Sequence, residues 1–524
     1  MTSATTSETD YNSVLYPSYT HPQTHPNRLA VIGTLCGLNP AAPARCRLLE
    51  LGCGDGSNLI PMAWTSPESE FVGIDLASVP IARGNEMAAA LNVRNVSLTQ
   101  GDVLHLNGDL GTFDYIIAHG LYSWVPVRVR EALLELCRKL LRPQGIAFVS
   151  YNALPGGHVR TMIREMMLFH VRGFESADER VRQARALAQF VSEGQNASDE
   201  YRLWMKAELQ RVLEHEAGYL YHDHLAEINE AFYFTQFIQQ AAAHGLQFLA
   251  EADYFEMSAH SFSGDVRKSL DQLGANRILR EQYLDFLKCR RFRQTLLCHS
   301  EQSLQPPRSE QVRAFHVTCP ARSAESPINL VPQVSCVFHA PNGARCETDF
   351  ALGKAALAAL ASIFPSSLSF DETLNRATSM LIEAGHGNSI PGERAELENQ
   401  LAGFLLQIYT AGLIDFRYSV AGMATKVSER PVASALARWQ VQRRNLVTSL
   451  YHLPVQIEDE VGRNLLSWLD GSLDRAALSQ RLWEFMKSKN AVKENSSEAE
   501  ARRDLESQLD QNLQKLARVG LLVG

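Results

Sequence analysis

A doubly wound α/β sheet is expected in the first part of this chain, on three observations. Short apolar runs alternate with helical patterns from Cys46 to Asn152, a glycine-rich turn follows the first run, and acidic residues close the next two. The runs are CRLLELGC, EFVGIDL, VSLTQGDV, FDYIIAHG and GIAFVSYN, and NLIPMAW, IARGNEMAAAL and VREALLELCRKLL lie between them. Strands that alternate with helices join in parallel, and ligands then bind outside the carboxyl ends of the strands.

The later elements follow the same logic. After Asn152 the pattern turns helical, with Leu187, Phe190 and Val191 at helical spacing. In TQFIQQAAAHG, Gly245 is placed as a left-handed residue ending a helix before the strand-like LQFLAEADYF. A second run, FRQTLLCH, follows the basic cluster Lys288, Arg290, Arg291 and Arg293. These two runs are expected to complete the first sheet, which makes the intervening helices an insertion. LQPPRSE marks the next boundary. Beyond it, VSCVFHAPNGARCETDF reads as a hairpin turning at Asn342 and Gly343. LENQLAGFLLQIYTAGLIDF and LESQLDQNLQKLARVGLLV repeat a long helix, a glycine break and an apolar strand, which fits two winged-helix-like units or two ordinary helical pairs. The expected units are a core with an N-terminal lid over 1–160, a helical middle or regulatory region over 161–305, and a C-terminal part over 306–524.

Composition bounds the function. The 524 residues are 45% hydrophobic and 21% charged, the makeup of a soluble globular protein of several domains. A net charge of −8 offers no global attraction to nucleic acid or anionic membranes. The nine cysteines contain no CxxC pair and read as reduced. The polar start MTSATTSETDYNS has no basic or apolar leader pattern, and no apolar run approaches ~20 residues, so a cytoplasmic protein without membrane insertion is expected.

The strongest chemical signal is LLELGCGDGSNL. Glu50, Gly52, Gly54 and Gly56 form ExGxGxG between a strand and a helix, where backbone amides and missing Cβ atoms let a ligand lie against the turn. A dinucleotide fingerprint wants its third glycine one position later, and Ser57 stands there. The spacing is that of class I S-adenosylmethionine (SAM) methyltransferases. Asp75, closing VGID, suits the ribose hydroxyls, and Asp102 in QGDV suits the adenine. Each acid alone would more often be a helix cap; the three strand ends in this order specify SAM. Asn58, Leu76 and Val103, beside these residues, complete the expected cofactor site.

The fourth strand end, HGLYSWVP, is expected to face the methyl group. Methyl transfer is a displacement at a sulfonium carbon, so the protein orients, dehydrates and delivers a neutral nucleophile. His119 and Tyr122 are assigned to holding the lone pair or passing the proton outward, and Trp124 to an aromatic wall, against the plainer reading that Tyr122 and Trp124 are core residues.

YPSYTHPQTHPNRL, the glycine turn, HGLYSWVP, SYNALPGGHVR, LYHDHLAEINEAFYF and DFLKCRRFRQTLLCH together resemble the bacterial protein-lysine methyltransferases typified by the rickettsial enzymes that modify outer-membrane protein B. The resemblance is strong over residues 11 to 303 and weaker beyond. It implies a Rossmann-like class I SAM-dependent methyltransferase sheet with a helical insertion, a methyltransferase regulatory domain, an α+β, winged-helix-like C-terminal part, a homodimer, and a protein substrate with a lysine acceptor, of the outer-membrane protein kind. It also implies cofactor contacts from Gly52, Gly54, Asp75 and Asp102, with His119, Tyr122 and Trp124 at the aromatic entry. Within the altered segment Ala153, Leu154, Pro155, Gly156 and Gly157, the residues Ala153, Leu154 and Gly157 depart from the family's SYNTYPGWH-like string, losing a hydroxyl and two aromatics beside the fifth strand.

The prolines of YPSYTHPQTHP stiffen an extended segment, expected as a lid whose Tyr16, Ser18, Gln23 and His25 close over the cofactor's methionine end. His222, Asp223, His224 and Glu227 do not share a face in any one regular structure, so no metal is expected there. KCRRFR reads as a salt-bridged or solvated face rather than a nucleic-acid patch. Two rivals remain: a small-molecule N- or O-methyltransferase, and a catalytically idle SAM-binding regulatory protein.

Overall fold

The computed structural model describes residues 10–523, apart from 107, 196–198, 274–275, 388–391, 419–421, 423, 425 and 490–497. Its centre is an eight-stranded sheet: β1 (Arg47–Leu51), β2 (Glu70–Asp75), β3 (Val96–Gln100), β4 (Phe113–Ala118), β5 (Leu141–Ala153), β6 (Ala231–Phe232), β7 (Leu246–Glu251) and β8 (Phe292–His299). The order is β3-β2-β1-β4-β5-β8-β7, with β6 on β5; β1 to β5 run parallel, and β8 is antiparallel to both β5 and β7. Parallel strands at the centre of such a sheet are covered on both faces, and β4 is buried along its whole length.

Each face carries its own core. On one, Leu48, Ile117, Phe148 and Leu296 pack with Leu29, Ile32 and Leu59 from the helices Pro26–Leu35 and Leu59–Thr65. On the other, Leu49, Ile116, Val149 and Leu297 pack with Leu133, Cys137, Phe234 and Phe237 from Val127–Leu140 and Phe234–Ala243. Val127–Leu140 follows Pro126, turns Leu133, Leu134 and Cys137 inward and ends in Arg138 and Lys139, which suit the helix dipole. Gly245 takes the expected left-handed conformation, φ +71°, between Phe234–Ala243 and β7.

Between β5 and β6 lie the helices Gly157–Val171, Ala177–Glu193 and Glu200–Glu214, with a separate core of Ile163, Met167, Val181, Ala188 and Leu209. A π-turn, Leu220–His224, brings the chain back to the sheet. The expected hairpin forms: Cys336–His339 pairs antiparallel with Arg345–Thr348 around Gly343 at φ +86°. It joins a core containing the helices Ala351–Ile363, Phe370–Glu383 and Arg394–Thr410. A last core gathers Ala437, Val447, Leu466, Leu478 and Leu513.

Candidate active site

Between β1 and the helix Leu59–Thr65 the chain turns through Gly52, Gly54 and Gly56, at φ +76°, +55° and +68°. L-residues avoid this region, which accounts for the three glycines. A Cβ on Gly54 would meet only Ser18 Oγ, at 3.7 Å, so the turn keeps an open face under the N-terminal segment. A Cβ on Gly56 would instead lie 2.8 Å from Leu98 Cδ1, so that glycine serves packing.

Asp75 closes β2 beside this turn. Its Oδ2 accepts from the Gly54 amide at 2.8 Å and its Oδ1 from the Ala77 amide at 2.8 Å. Each oxygen keeps a second lone pair for a ligand hydroxyl. Leu76, 43% exposed, is the next residue, and Gln100 Nε2 donates to its carbonyl at 3.1 Å, tying the β2 and β3 ends together. At the β3 end, Asp102 Oδ1 accepts from the Leu104 amide at 2.9 Å and caps the short turn Val103–His105.

Glu50 and Asn58 lie under the turn rather than on it. Glu50 is buried, its Oε1 accepts from Asn58 Nδ2 at 2.8 Å, and burial pushes its pKa up to about 8. Asn58 Oδ1 accepts from the His21 amide at 2.9 Å and lies 2.9 Å from His452 Nε2. These two residues brace the turn, the N-terminal segment and a C-terminal element against each other.

At the β4 end, His119 Nδ1 lies 3.1 Å from Ser150 Oγ, which also accepts from the Gly120 amide at 2.8 Å. Its ring stands 3.8 Å from that of His21 and 5.8 Å from that of Phe148, centroid to centroid. Burial, with His21 adding to it, holds the His119 imidazole well below its ordinary pKa, so it is neutral at pH 7.

Tyr122 requires a correction. It is fully buried against Tyr151, Phe232 and Phe237, in the core on the opposite sheet face from the His119–Phe148 contact, and its hydroxyl pairs with Gln240. The short 3-10 turn Tyr122–Trp124 ends strand alternation and directs that ring inward. Replacing Tyr122 by Phe is therefore expected to leave turnover and SAM affinity unchanged and to cost about 1 kcal/mol of stability, from the lost hydrogen bond; initial rates and chemical denaturation check both. Trp124 is half-buried, with its Nε1 unpartnered among the described residues.

The N-terminal segment is fastened on both sides, and its four assigned side chains diverge. Ser18 stands over Gly54, whereas the Tyr16 ring lies 6.0 Å from those of Tyr219 and His222 on the π-turn side. Asp223, 5% exposed, takes hydrogen bonds there from Tyr16, Tyr219 and Arg160. Gln23 donates to Asp253 at 3.3 Å, and His25 caps the helix Pro26–Leu35. Tyr16 and His25 are thus structural anchors of the segment, not parts of the turn's open face. Residues 1–9 of the expected lid lie outside the described residues.

Comparison with known proteins agrees with this arrangement. Residues 48–145 match a methyltransferase domain, 216–299 a predicted methyltransferase regulatory domain, and 429–521 the PKMT C-terminal winged helix domain. RP789, an uncharacterized protein of Rickettsia prowazekii, is 31% identical over 532 residues, spanning 98% of this chain and 93% of that protein. RP028 of the same organism is 38% identical over 45% of this chain and 95% of its own length. The structure of PKMT2 from Rickettsia typhi in complex with AdoHcy superposes with a TM-score of 0.85 at 28% identity, covering 97% of this chain and 100% of that one. The chain belongs to this family of bacterial protein-lysine methyltransferases. It is a SAM-dependent methyltransferase with the expected Rossmann-like sheet and winged-helix part.

The residues present fit the cofactor. Gly54 leaves the space a Cβ would fill, Asp75 has free lone pairs beside it, and Leu76 offers an exposed apolar side chain for the adenine. Sequence reasoning missed His21, Ser150 and His452. His21 and Ser150 stand in strings it quoted, but nothing local marked them as partners of His119. Among the described residues no helix is long and apolar enough to cross a membrane.

Proposed function

We propose that this methyltransferase transfers methyl groups to the ε-amines of lysine side chains in a protein substrate, with Gly52, Gly54, Asp75, Leu76, Asp102 and Val103 lining the cofactor and His119 bordering the transferred methyl. The observation that carries the reading is the β4 end, where a neutral imidazole is fixed by Ser150 beside the rings of His21 and Phe148. When bound, SAM supplies a methyl group on a positively charged sulfur. The chain's own task is to present an uncharged amine to it. A lysine amine has a pKa near 10.4 in water. The desolvation that holds His119 neutral also disfavours an ammonium ion, so the acceptor sheds its proton on entering. The Nδ1 side of His119 is held by Ser150, and its other ring nitrogen is available to orient the amine.

The family supports three further points. We infer action in the cytoplasm on a protein acceptor of the outer-membrane class. We infer a homodimer, which the family favours and which would give the exposed Phe169, Phe190, Tyr201 and Trp204 of the inserted helices apolar surface to bury. Units of 1–160, 161–305 and 306–524 remain the working division.

The test is transfer of label from methyl-labelled SAM by the purified protein in a bacterial envelope extract. Methyl-lysine is expected in the hydrolysed protein fraction. Label confined to small molecules, or none beyond the cofactor, would overturn the reading.

A further inference from the structure

Arg444 follows the helix Ala435–Val441 in the winged-helix unit, yet its side chain reaches the cofactor turn. Its Nη1 donates to the Ser18 carbonyl at 2.8 Å and to Ser57 Oγ at 3.3 Å, so it bridges the N-terminal segment and the end of the glycine turn. Both acceptors are neutral. Among the described residues Arg444 makes no salt bridge; the charge it feels is Asp55, and burial nevertheless pushes its guanidinium down from its ordinary pKa. A partly buried cation without a paired anion is costly, and such groups persist where an anion arrives with a ligand.

A second contact fixes the unit at the same place. His452, 4% exposed, takes the left-handed φ of +62° and presents Nε2 to Asn58 Oδ1 at 2.9 Å. A non-glycine residue in that region is uncommon, and here the surrounding structure holds it. The winged-helix unit therefore meets the turn through two side chains about eight residues apart, on Ser57 and on Asn58.

SAM carries one carboxylate, at its methionine end. Asp75, suited to the ribose, stands on the β2 side of the turn, and Ser18 covers the open face of Gly54. We propose that Arg444 is the counter-ion of the SAM methionine carboxylate, so that the winged-helix unit supplies part of the cofactor site.

The deciding experiment is calorimetric titration of the full-length wild type, Arg444→Gln and Arg444→Lys with SAM and with decarboxylated SAM, which keeps the adenosine, the sulfonium and the amine. Arg444→Gln is expected to weaken SAM binding roughly 10- to 100-fold, the range of a charge-assisted hydrogen bond. It is expected to leave decarboxylated SAM within about twofold of wild type, and Arg444→Lys should lose less. Equal weakening of both ligands, or unchanged SAM affinity, would overturn the assignment. If Arg444→Gln does not fold, Arg444→Lys decides: selective weakening toward the carboxylate-bearing ligand supports the proposal, and equal treatment of the two sinks it.

Discussion

Replacing Asp75 by Ala should raise the dissociation constant for S-adenosylhomocysteine at least ~100-fold. The carboxylate makes two kinds of contact. It already receives the Gly54 and Ala77 amides, both at 2.8 Å, and these hold the turn in its left-handed path. In the proposed cofactor site its remaining lone pairs accept from the ribose hydroxyls, and hydrogen bonds to a charged group contribute about 1.5–3 kcal/mol each. Losing two such bonds corresponds to ~3–6 kcal/mol, or more than two decades in affinity. Asp75→Asn separates the roles, since it keeps one acceptor and introduces a donor against an amide. It should fall between wild type and Asp75→Ala. Calorimetry measures the affinities, and thermal melting without ligand reports how much of the loss is loosening of the turn. An Asp75→Ala protein that bound S-adenosylhomocysteine at wild-type strength would place the ribose elsewhere.

The turn was legible because its logic is local. Three glycines needing positive φ and an acid at the next strand end lie within one β–turn–helix–β stretch, where spacing alone states the geometry. The late strands were readable for a similar reason: LQFLAEADYF and FRQTLLCH are apolar runs bounded by turn signals. Tyr122 was misplaced because facing is predictable only while strand alternation lasts. β4 ends at Ala118, and the 3-10 turn that follows sends Tyr122 and His119 to opposite faces. The N-terminal segment was readable as stiff, but the partners that sort its side chains, Tyr219, His222 and Asp253, come from distant chain. Arg444 and His452 were beyond reach on the same ground. They meet Ser18 and Asn58 across 426 and 394 residues, and no period or motif encodes a contact over that distance along the chain.

The basic run before β8 supplies the largest expected effect on stability. Arg293 is fully buried, and its guanidinium contacts Glu251 Oε1 at 2.5 Å, Asp285 Oδ1 at 2.8 Å and Glu281 Oε2 at 3.2 Å, lying 3.9 Å over the Phe234 ring. Arg290 shares Asp285 at 3.0 Å. The cluster fastens β7 and β8 to the helix Arg277–Lys288, which is how the antiparallel end of the sheet is held. Replacing Arg293 by Met keeps volume but leaves three buried carboxylates facing, among the described residues, only Arg290, against Asp285 and Glu251, and Arg280, 3.7 Å from Glu281. Breaking a buried ion pair from one side costs about 3–5 kcal/mol. The unfolding midpoint of the corresponding transition should therefore fall by roughly 6–20 °C. The pH dependence follows from the signs. Burial raises the Glu281 and Asp285 pKa values and Arg293 opposes that rise, so the variant's folded-state values climb further above the unfolded ones. A group with a raised folded-state pKa favours the native state below its unfolded pKa and loses that contribution as pH rises through the folded one. The Arg293→Met deficit should thus widen from pH 5 to pH 8 in paired melting curves. A deficit under ~0.5 kcal/mol, the scale of an exposed substitution, would mean that water reaches these carboxylates and that hydrophobic contacts alone close the sheet.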